Sequence, residues 1–320
     1  MTALEISPLR RALRAWYRPR REGYPWRRDG IDPYAILVSE VMLQQTQAAR
    51  VAAAFDGFLR RFPDVASLAG ASPADVLRAW SGLGYHRRAV ALREAARTIV
   101  HVHGGVVPGD VRALQHLPGI GPYTASAVAA IAFGRPVVAV DVNVRRVTSR
   151  VVLGREPKDR NDPRIAAAAE VLLDRRDPGA WNQAMMDLGR EVCRPAPRCE
   201  VCPLERWCRF RGAGQRGRST AARKQPPFEG STRQVRGRIV AALRERPSAG
   251  VSSLATATGF GVARIGSAVV GLVRDGIVER RGRSFRLPGD RPVERSKGEP
   301  ERSSDSISLP AVHPTGGMSS

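Results

Sequence analysis

No stretch of this 320-residue chain is a long apolar run; a helical membrane span needs about 18 such residues, which excludes one here. The opening, MTALEISPLRR, also lacks the apolar centre of a secretion signal. The expectation is a cytoplasmic, nucleoid-associated protein, monomeric and without a membrane partner. Acidic residues are few. Thirty Asp and Glu stand against 52 Lys and Arg, Arg supplying most of the excess, and the formal charge is +22. That much cationic surface points to a polyanionic partner, nucleic acid above all. Alternating strand patterns are scarce as well, so the larger part of the chain should be all-α.

Cysteine is nearly absent, and its few positions are informative. The only four, Cys193, Cys199, Cys202 and Cys208, fall within sixteen consecutive residues. A disulfide scaffold would spread its cysteines along a short secreted chain, whereas clustered thiols build a metal site. Four thiolates fit either a structural zinc or a [4Fe–4S] cluster. Intervals of five, two and five residues, with Pro203 directly after the third cysteine, differ from the paired CxxC of zinc ribbons. They favour the iron–sulfur cluster, with zinc as the alternative.

The chain is organised around LPGIGPYTASAVAAIAFGRPVVAVDVNVRR, Leu117 to Arg146. Gly119 and Gly121 bracket Ile120 in a turn expected to need backbone angles closed to residues with a Cβ, and an Ala-rich helix opens at Pro122. Such a hairpin presents unpaired N–H groups and a positive helix end to an anionic oxygen such as a DNA phosphate. The alternative is a tight helix–helix turn followed by an N-cap aspartate. An apolar run then delivers Asp141 and the basic pair Arg145 and Arg146.

Upstream, Asp32 and Pro33 read as a helix start. Glu40 on that helix has Ile36, Leu37, Leu43 and Gln44 at three- or four-residue spacing, so its carboxyl is set on an apolar face. Burial penalises the charged form, which raises the pKa toward the range a general acid uses near neutral pH. Otherwise the side chain turns to solvent or pairs with an arginine. SGLGYHRRA places Tyr85, His86, Arg87 and Arg88 on a Gly-rich turn, either a wedge for a base stack or an exposed loop. Trp26, beside Arg27 and Arg28, reads first as a core residue.

Six segments occur in one order: SEVMLQQTQ (39–47), GLGYHRRA (82–89), LPGIGPYTA (117–125), VDVNVRRV (140–147), WNQAMMDLG (181–189) and the cysteine cluster. Together they closely resemble the A/G-specific adenine DNA glycosylases, the MutY family of the helix-hairpin-helix superfamily, over about residues 5–212. The resemblance implies a mainly α fold of two subdomains with the active site between them, and one [4Fe–4S] cluster per chain on Cys193, Cys199, Cys202 and Cys208. It implies a monofunctional enzyme acting on double-stranded DNA, which flips out an adenine opposite 8-oxoguanine or guanine and hydrolyses its N-glycosidic bond. Glu40 matches the acid that protonates adenine N7. Asp141 matches the carboxylate that stabilises the oxocarbenium-like sugar, so the two pKa values should be pushed apart. Tyr123 and Asn143 match residues bonded to the acid, the aspartate or water. Gln45 and Tyr85 match the pair that intercalates around 8-oxoguanine, and Trp26 and Gln183 match positions lining the adenine pocket. Endonuclease III shares the hairpin, aspartate and cluster, but its lyase chemistry needs a lysine where this chain has Tyr123.

The chain departs from the family at three points. The interval between the first two cysteines is one residue shorter, Val142 replaces a small residue after the aspartate, and no segment resembles the family's C-terminal Nudix-like domain. The expected organisation is a glycosylase domain over 1–212 with its iron–sulfur loop at 193–208, and then a flexible basic linker over 213–231. A winged-helix-like domain over 232–287 follows. Its helices are marked by Val235, Ile239 and Leu243, by Leu254, and by Ile265, Val269 and Leu272, and the hairpin IVERRGRSFRL closes it. A disordered tail is expected over 288–320.

Overall fold

The computed structural model describes residues 3–159, 161–215 and 227–290. The expected tail from 291 onward and most of the expected linker, 216–226, lie outside the described residues.

Helix follows helix in the order of the apolar spacing. The first six are α1 (Ala3–Tyr17), α2 (Pro33–Leu43), α3 (Ala48–Arg61), α4 (Val65–Gly70), α5 (Pro73–Ala79) and α6 (Arg87–His103). The next six are α7 (Val111–Gln115), α8 (Pro122–Phe133), α9 (Val142–Leu153), α10 (Pro163–Leu172), α11 (Pro178–Glu191) and α12 (Arg209–Gly212). Side-chain caps set several starts. Asp32 accepts from the Tyr34 N–H at 2.7 Å ahead of α2, and Asp110 accepts from two N–H groups ahead of α7. Each cap satisfies donors that a helix N-terminus leaves unpaired.

Two apolar cores divide these helices. Trp26, Ile36, Leu37, Phe55, Phe58, Leu68, Trp80, Leu92, Leu114 and Val128 belong to the first, built by α2 to α8 and continuous with Val235, Ile239 and Leu243 further along the chain. Leu9, Leu13 and Tyr17 of α1 join Val144, Val147, Val151, Leu172, Trp181 and Leu188 in the second, so the first helix closes back onto α9, α10 and α11. The chain thus leaves the second lobe, builds the first, and returns. α8 is the helix between them. Ala125, Ala127, Ala129 and Ala130 are buried along it, and their small side chains let it pack against both α2 and α11.

The turn before α8 corrects one expectation. Gly119 has φ +78° and an added Cβ would stand 2.7 Å from the Cβ of Ala91, so glycine is required there. Gly121 has φ −86° and open space around the Cβ position. Its backbone is one that any residue adopts, and the expectation of glycine-only angles fails at Gly121.

After residue 227 come α13 (Thr232–Arg244), β1 (Ala249–Gly250), α14 (Val251–Thr258), α15 (Val262–Arg274), β2 (Glu279–Arg281) and β3 (Ser284–Arg286). The strands form an antiparallel sheet in the order β1-β3-β2, with Phe285 of β3 opposite Ala249 on one side and Arg280 on the other. Val235, Ile239, Leu243, Leu254, Ile265, Val269 and Leu272 are all buried. The outer face of α15 exposes Val262, Val270 and Val273. This C-terminal module is tied to α5 by the Ala74 N–H donating to the Pro288 carbonyl at 3.0 Å and by an Arg78–Asp290 ion pair at 2.7 Å.

Candidate active site

The boundary between the two cores opens into a cleft of about 250 Å³. Glu40, Leu43 and Tyr123 line it from the first lobe; Asp141, Asn143, Gln183, Met186 and Asp187 line it from the second. Tyr24, Trp26 and Arg27 come from the connecting segment before α2. Six of the residues expected at a site, Glu40, Tyr123, Asp141, Asn143, Trp26 and Gln183, therefore meet in one cavity. Glu40 and Asp141 are a hundred positions apart in sequence, and the return of the chain at α8 and α9 brings them together.

Glu40 is 5% exposed, and its Oε2 has no hydrogen-bond partner among the described residues. Burial raises its pKa to about 7, the charge of Asp141 adds to the rise, and the Tyr123 hydroxyl and Arg27 hold it back. The carboxyl can thus keep a proton near neutral pH and release it to a base placed beside it. Tyr123 is pushed well above the usual phenol pKa by the same burial and by both carboxyls, so its hydroxyl stays neutral. That hydroxyl also lies 3.4 Å from Met186 Sδ.

Asp141 caps α9. Its Oδ1 accepts from the N–H groups of Asn143 at 2.8 Å and Val144 at 2.6 Å, and its Oδ2 accepts from Asn143 Nδ2 at 2.9 Å. Burial raises this pKa too, while those bonds and Arg146 oppose the rise. Three donors favour the charged form of Asp141, and the unpartnered oxygen of Glu40 has none, so Asp141 ionises first. The backbone of α11 comes close here. A Cβ at Gly189 would sit 2.5 Å from the Cβ of Asn143, so only glycine lets α9 bring Asn143 to this position.

Gln183 accepts from the buried Tyr17 hydroxyl at 2.6 Å through Oε1, which leaves its amide N–H groups for the cleft. Trp26 is 4% exposed and stacks on Tyr24 with ring centroids 4.8 Å apart. It serves the core and the cleft wall at once. Sequence reasoning missed Tyr24, Arg27, Met186 and Asp187. Arg27 makes a two-pronged ion pair with Asp187 at 2.7 and 3.0 Å, both side chains almost fully buried. Asp187 lies four residues beyond Gln183, on the same face of α11, and that spacing was the available signal.

Gln45 and Tyr85 lie outside the cleft, on neighbouring turns. They are the two non-glycine residues with left-handed backbone among those described, at φ 57° and 47°. Such angles are strained for residues with a Cβ and persist where surroundings fix them. Arg88 supplies the fixing. Its guanidinium donates to the carbonyls of Val41 and Met42 and to Thr46 Oγ1 around the first turn, and to the carbonyls of Leu83 and Gly84 in the second. Gln44 Nε2 reaches Thr124 Oγ1 at 3.2 Å and the Gly119 carbonyl at 3.3 Å, joining the end of α2 to the glycine hairpin. Gly119 and Gly121 are both exposed in that hairpin.

The four cysteines line a separate pocket with Arg150, Leu188, Phe210 and Arg211. All four are unbridged thiols. Burial raises Cys199 and Cys208 and pushes Cys202 up to about 12, so thiolates there need a cationic core to offset desolvation. Among the described residues no three cysteines, histidines or carboxylates stand close enough to share one ion. The four thiols line one pocket, and four soft sulfur donors together suit either a structural zinc or an iron–sulfur cluster. Arg146 and Arg150 of α9 fasten the loop, Arg146 Nε donating to the Cys193 carbonyl at 2.6 Å and Arg150 Nη1 to the Arg194 carbonyl at 2.7 Å. No single helix among those described is long and apolar enough to cross a membrane.

Known proteins resemble this chain in sequence and in fold. A family model described as HhH-GPD superfamily base excision DNA repair protein matches residues 38–171. A protein of Mycobacterium tuberculosis named adenine DNA glycosylase is 46% identical over 235 residues, covering 72% of this chain and 77% of that one. The solved structure of a thermostable thymine-DNA glycosylase superposes with a TM-score of 0.59 at 29% identity, over 66% of this chain and 96% of that one. A non-covalent endonuclease III–DNA complex superposes at 0.56 with 21% identity over 67% of this chain and 98% of that one, a likeness of fold alone.

Proposed function

The chain belongs to the adenine DNA glycosylases of the HhH-GPD superfamily of base excision DNA repair proteins, and from that membership we propose that it removes adenine mispaired with 8-oxoguanine or guanine in duplex DNA. The observation that carries the reading is the pair of unlike carboxyls on one cleft: Glu40 with an unpartnered oxygen and a pKa of about 7, and Asp141 held by three donors.

The extruded adenine enters the cleft against the stacked Tyr24 and Trp26 and beside Gln183, whose free amide N–H groups meet an acceptor edge of the base. Glu40 gives its proton to adenine N7 as the C1′–N9 bond breaks, and the bonding pair leaves with N9 of a neutral base. The sugar is left electron-deficient at C1′. Asp141 stabilises it by charge or by a transient ester, and Asn143 and the α9 N-terminus hold the carboxylate in place. Water adds its oxygen to C1′ and returns a proton to the Glu40 carboxylate, which restores the acid. Tyr123 stands where a Schiff-base lysine would be needed, so the reaction ends at an intact abasic strand. Gln45 and Tyr85 flank the base opposite the excised one, and the N–H groups of the exposed Gly119 and Gly121 take a backbone phosphate.

Cys193, Cys199, Cys202 and Cys208 would hold a [4Fe–4S] cluster, which supplies a structural pin for the basic loop that includes Arg194 and Arg198. The C-terminal module is read as a winged-helix-like domain. The test is release of adenine from duplexes carrying adenine opposite 8-oxoguanine, scored as strand scission after alkali. Release by the native protein and none by Glu40→Gln supports the reading; no release by either one ends it.

A further inference from the structure

The C-terminal module closes on the turn that carries Tyr85. Arg244, at the end of α13, reaches across to both ends of that turn, donating from Nη1 to Ser81 Oγ at 3.0 Å and pointing Nη2 at His86 Nε2 at 3.3 Å. His86 is 9% exposed. Burial and the nearby arginines lower its pKa to about 4, so at neutral pH it is uncharged and its Nε2 can accept the Arg244 bond. From the same helix, Arg233 Nη1 lies 3.5 Å from the Tyr85 hydroxyl, and Arg236 pairs with Asp275, which faces Arg87 on the far end of the turn. Inside the turn, Trp80 Nε1 donates to the Gly84 carbonyl at 3.0 Å. The strained φ of Tyr85 is therefore fixed from two sides, by Arg88 beneath and by α13 outside.

We propose that the C-terminal module serves as a clamp on the Tyr85 turn, with Arg244 as the positioning residue through which it sharpens the reading of the base opposite the excised adenine. The inference rests on the proposed function for the identity of that base. The hydrogen-bond partners of Arg244, Ser81 and His86, do not line the cleft that holds Glu40 and Asp141, so loosening it should alter discrimination between opposite bases more than bond cleavage. A wedge with a fixed backbone inserts without first losing conformational freedom, whereas a loosened one must be ordered on binding.

The experiment uses the full chain with Arg244→Ala, Ser81→Ala and the double variant, each checked for native thermal unfolding. One readout is the ratio of single-turnover adenine release opposite 8-oxoguanine to that opposite guanine. The other is the fluorescence of 2-aminopurine placed beside the 8-oxoguanine, which reports wedge insertion without any excision. Arg244→Ala should lower the ratio about tenfold, the scale of one or two lost charge-assisted hydrogen bonds, and weaken the fluorescence rise. Ser81→Ala should shift both readouts in the same direction by less, and the double variant should match Arg244→Ala because the serine then has no partner to lose. A folded Arg244→Ala that keeps the native ratio and fluorescence overturns the clamp. If Arg244→Ala fails to fold, Ser81→Ala decides, and an unchanged ratio overturns it. If the native protein excises adenine from neither duplex, the proposed function fails and the fluorescence arm alone judges the clamp.

Discussion

Glu40 and Asp141 are the same functional group on two lobes, buried in one cleft, and they are tuned by opposite means. Glu40 is the eighth of the eleven residues of α2, in its last turn and beyond the unpaired N–H groups of the helix start, so no backbone donor of its own element is available to bind its charge. Asp141 sits at the start of α9, where the N–H groups of Asn143 and Val144 have no helical partner and turn to its carboxylate. Burial raises both pKa values, and the position along the helix separates them. Two carboxyls are thus set apart by placing one inside a helix and one at an N-cap.

The sharpest way to break the contrast is to remove the proton donor. Glu40→Gln keeps the shape and the apolar setting but cannot donate, and single-turnover adenine release should fall by about a thousandfold or more, within the range of positioned general acids. Asp141→Asn removes the anion while leaving a cap; release should fall roughly a hundredfold with duplex affinity unchanged in an equilibrium binding assay. If affinity fell in step with release, Asp141 would be holding α9 in place and not acting on the sugar.

Half of this contrast was legible in the sequence. Asp32 and Pro33, the apolar neighbours of Glu40 and the approach to Asp141 predict both local environments, because caps and helix faces are set by residues within a few positions. Gly119 was legible for the same reason; Gly121 was misread, because a GxG turn needs positive φ only where its geometry demands it. The partners of Arg27 and Arg88 were not legible, although the spacing of Asp187 from Gln183 was. The Arg27–Asp187 pair spans 160 positions and forms only when α11 returns to the segment before α2, and Arg88 reaches Val41 and Met42 only when α6 packs on α2. The contact of Arg244 with the Tyr85 turn is of that kind too.

Glu40 also predicts a conflict between stability and chemistry. Its folded-state pKa of about 7 lies above the usual 4.5, so the folded protein holds this proton more tightly than the unfolded chain does. The stabilisation is complete below pH 4.5 and is lost as pH rises through about 7, amounting to roughly 3 kcal/mol across that window. Glu40→Gln carries no such charge. Its midpoint of thermal unfolding should exceed that of the native protein at pH 8 and match it at pH 5. Equal midpoints at both values would mean that water or a neighbouring cation relieves the buried carboxylate.

The smallest effect separates the two influences on Glu40. Burial sets its pKa high and the Tyr123 hydroxyl draws it down, so Tyr123→Phe should raise it further. The native rate of release should fall as pH rises through about 7, where the acid loses its proton. In Tyr123→Phe that decline should begin at higher pH, while the plateau rate drops about fivefold, the worth of one ordinary hydrogen bond. A merely structural role for the phenol would lower the plateau and leave the decline where it was. Movement of the decline toward lower pH would place the hydroxyl as an acceptor from the protonated carboxyl, reversing its part in the contrast between the two acids.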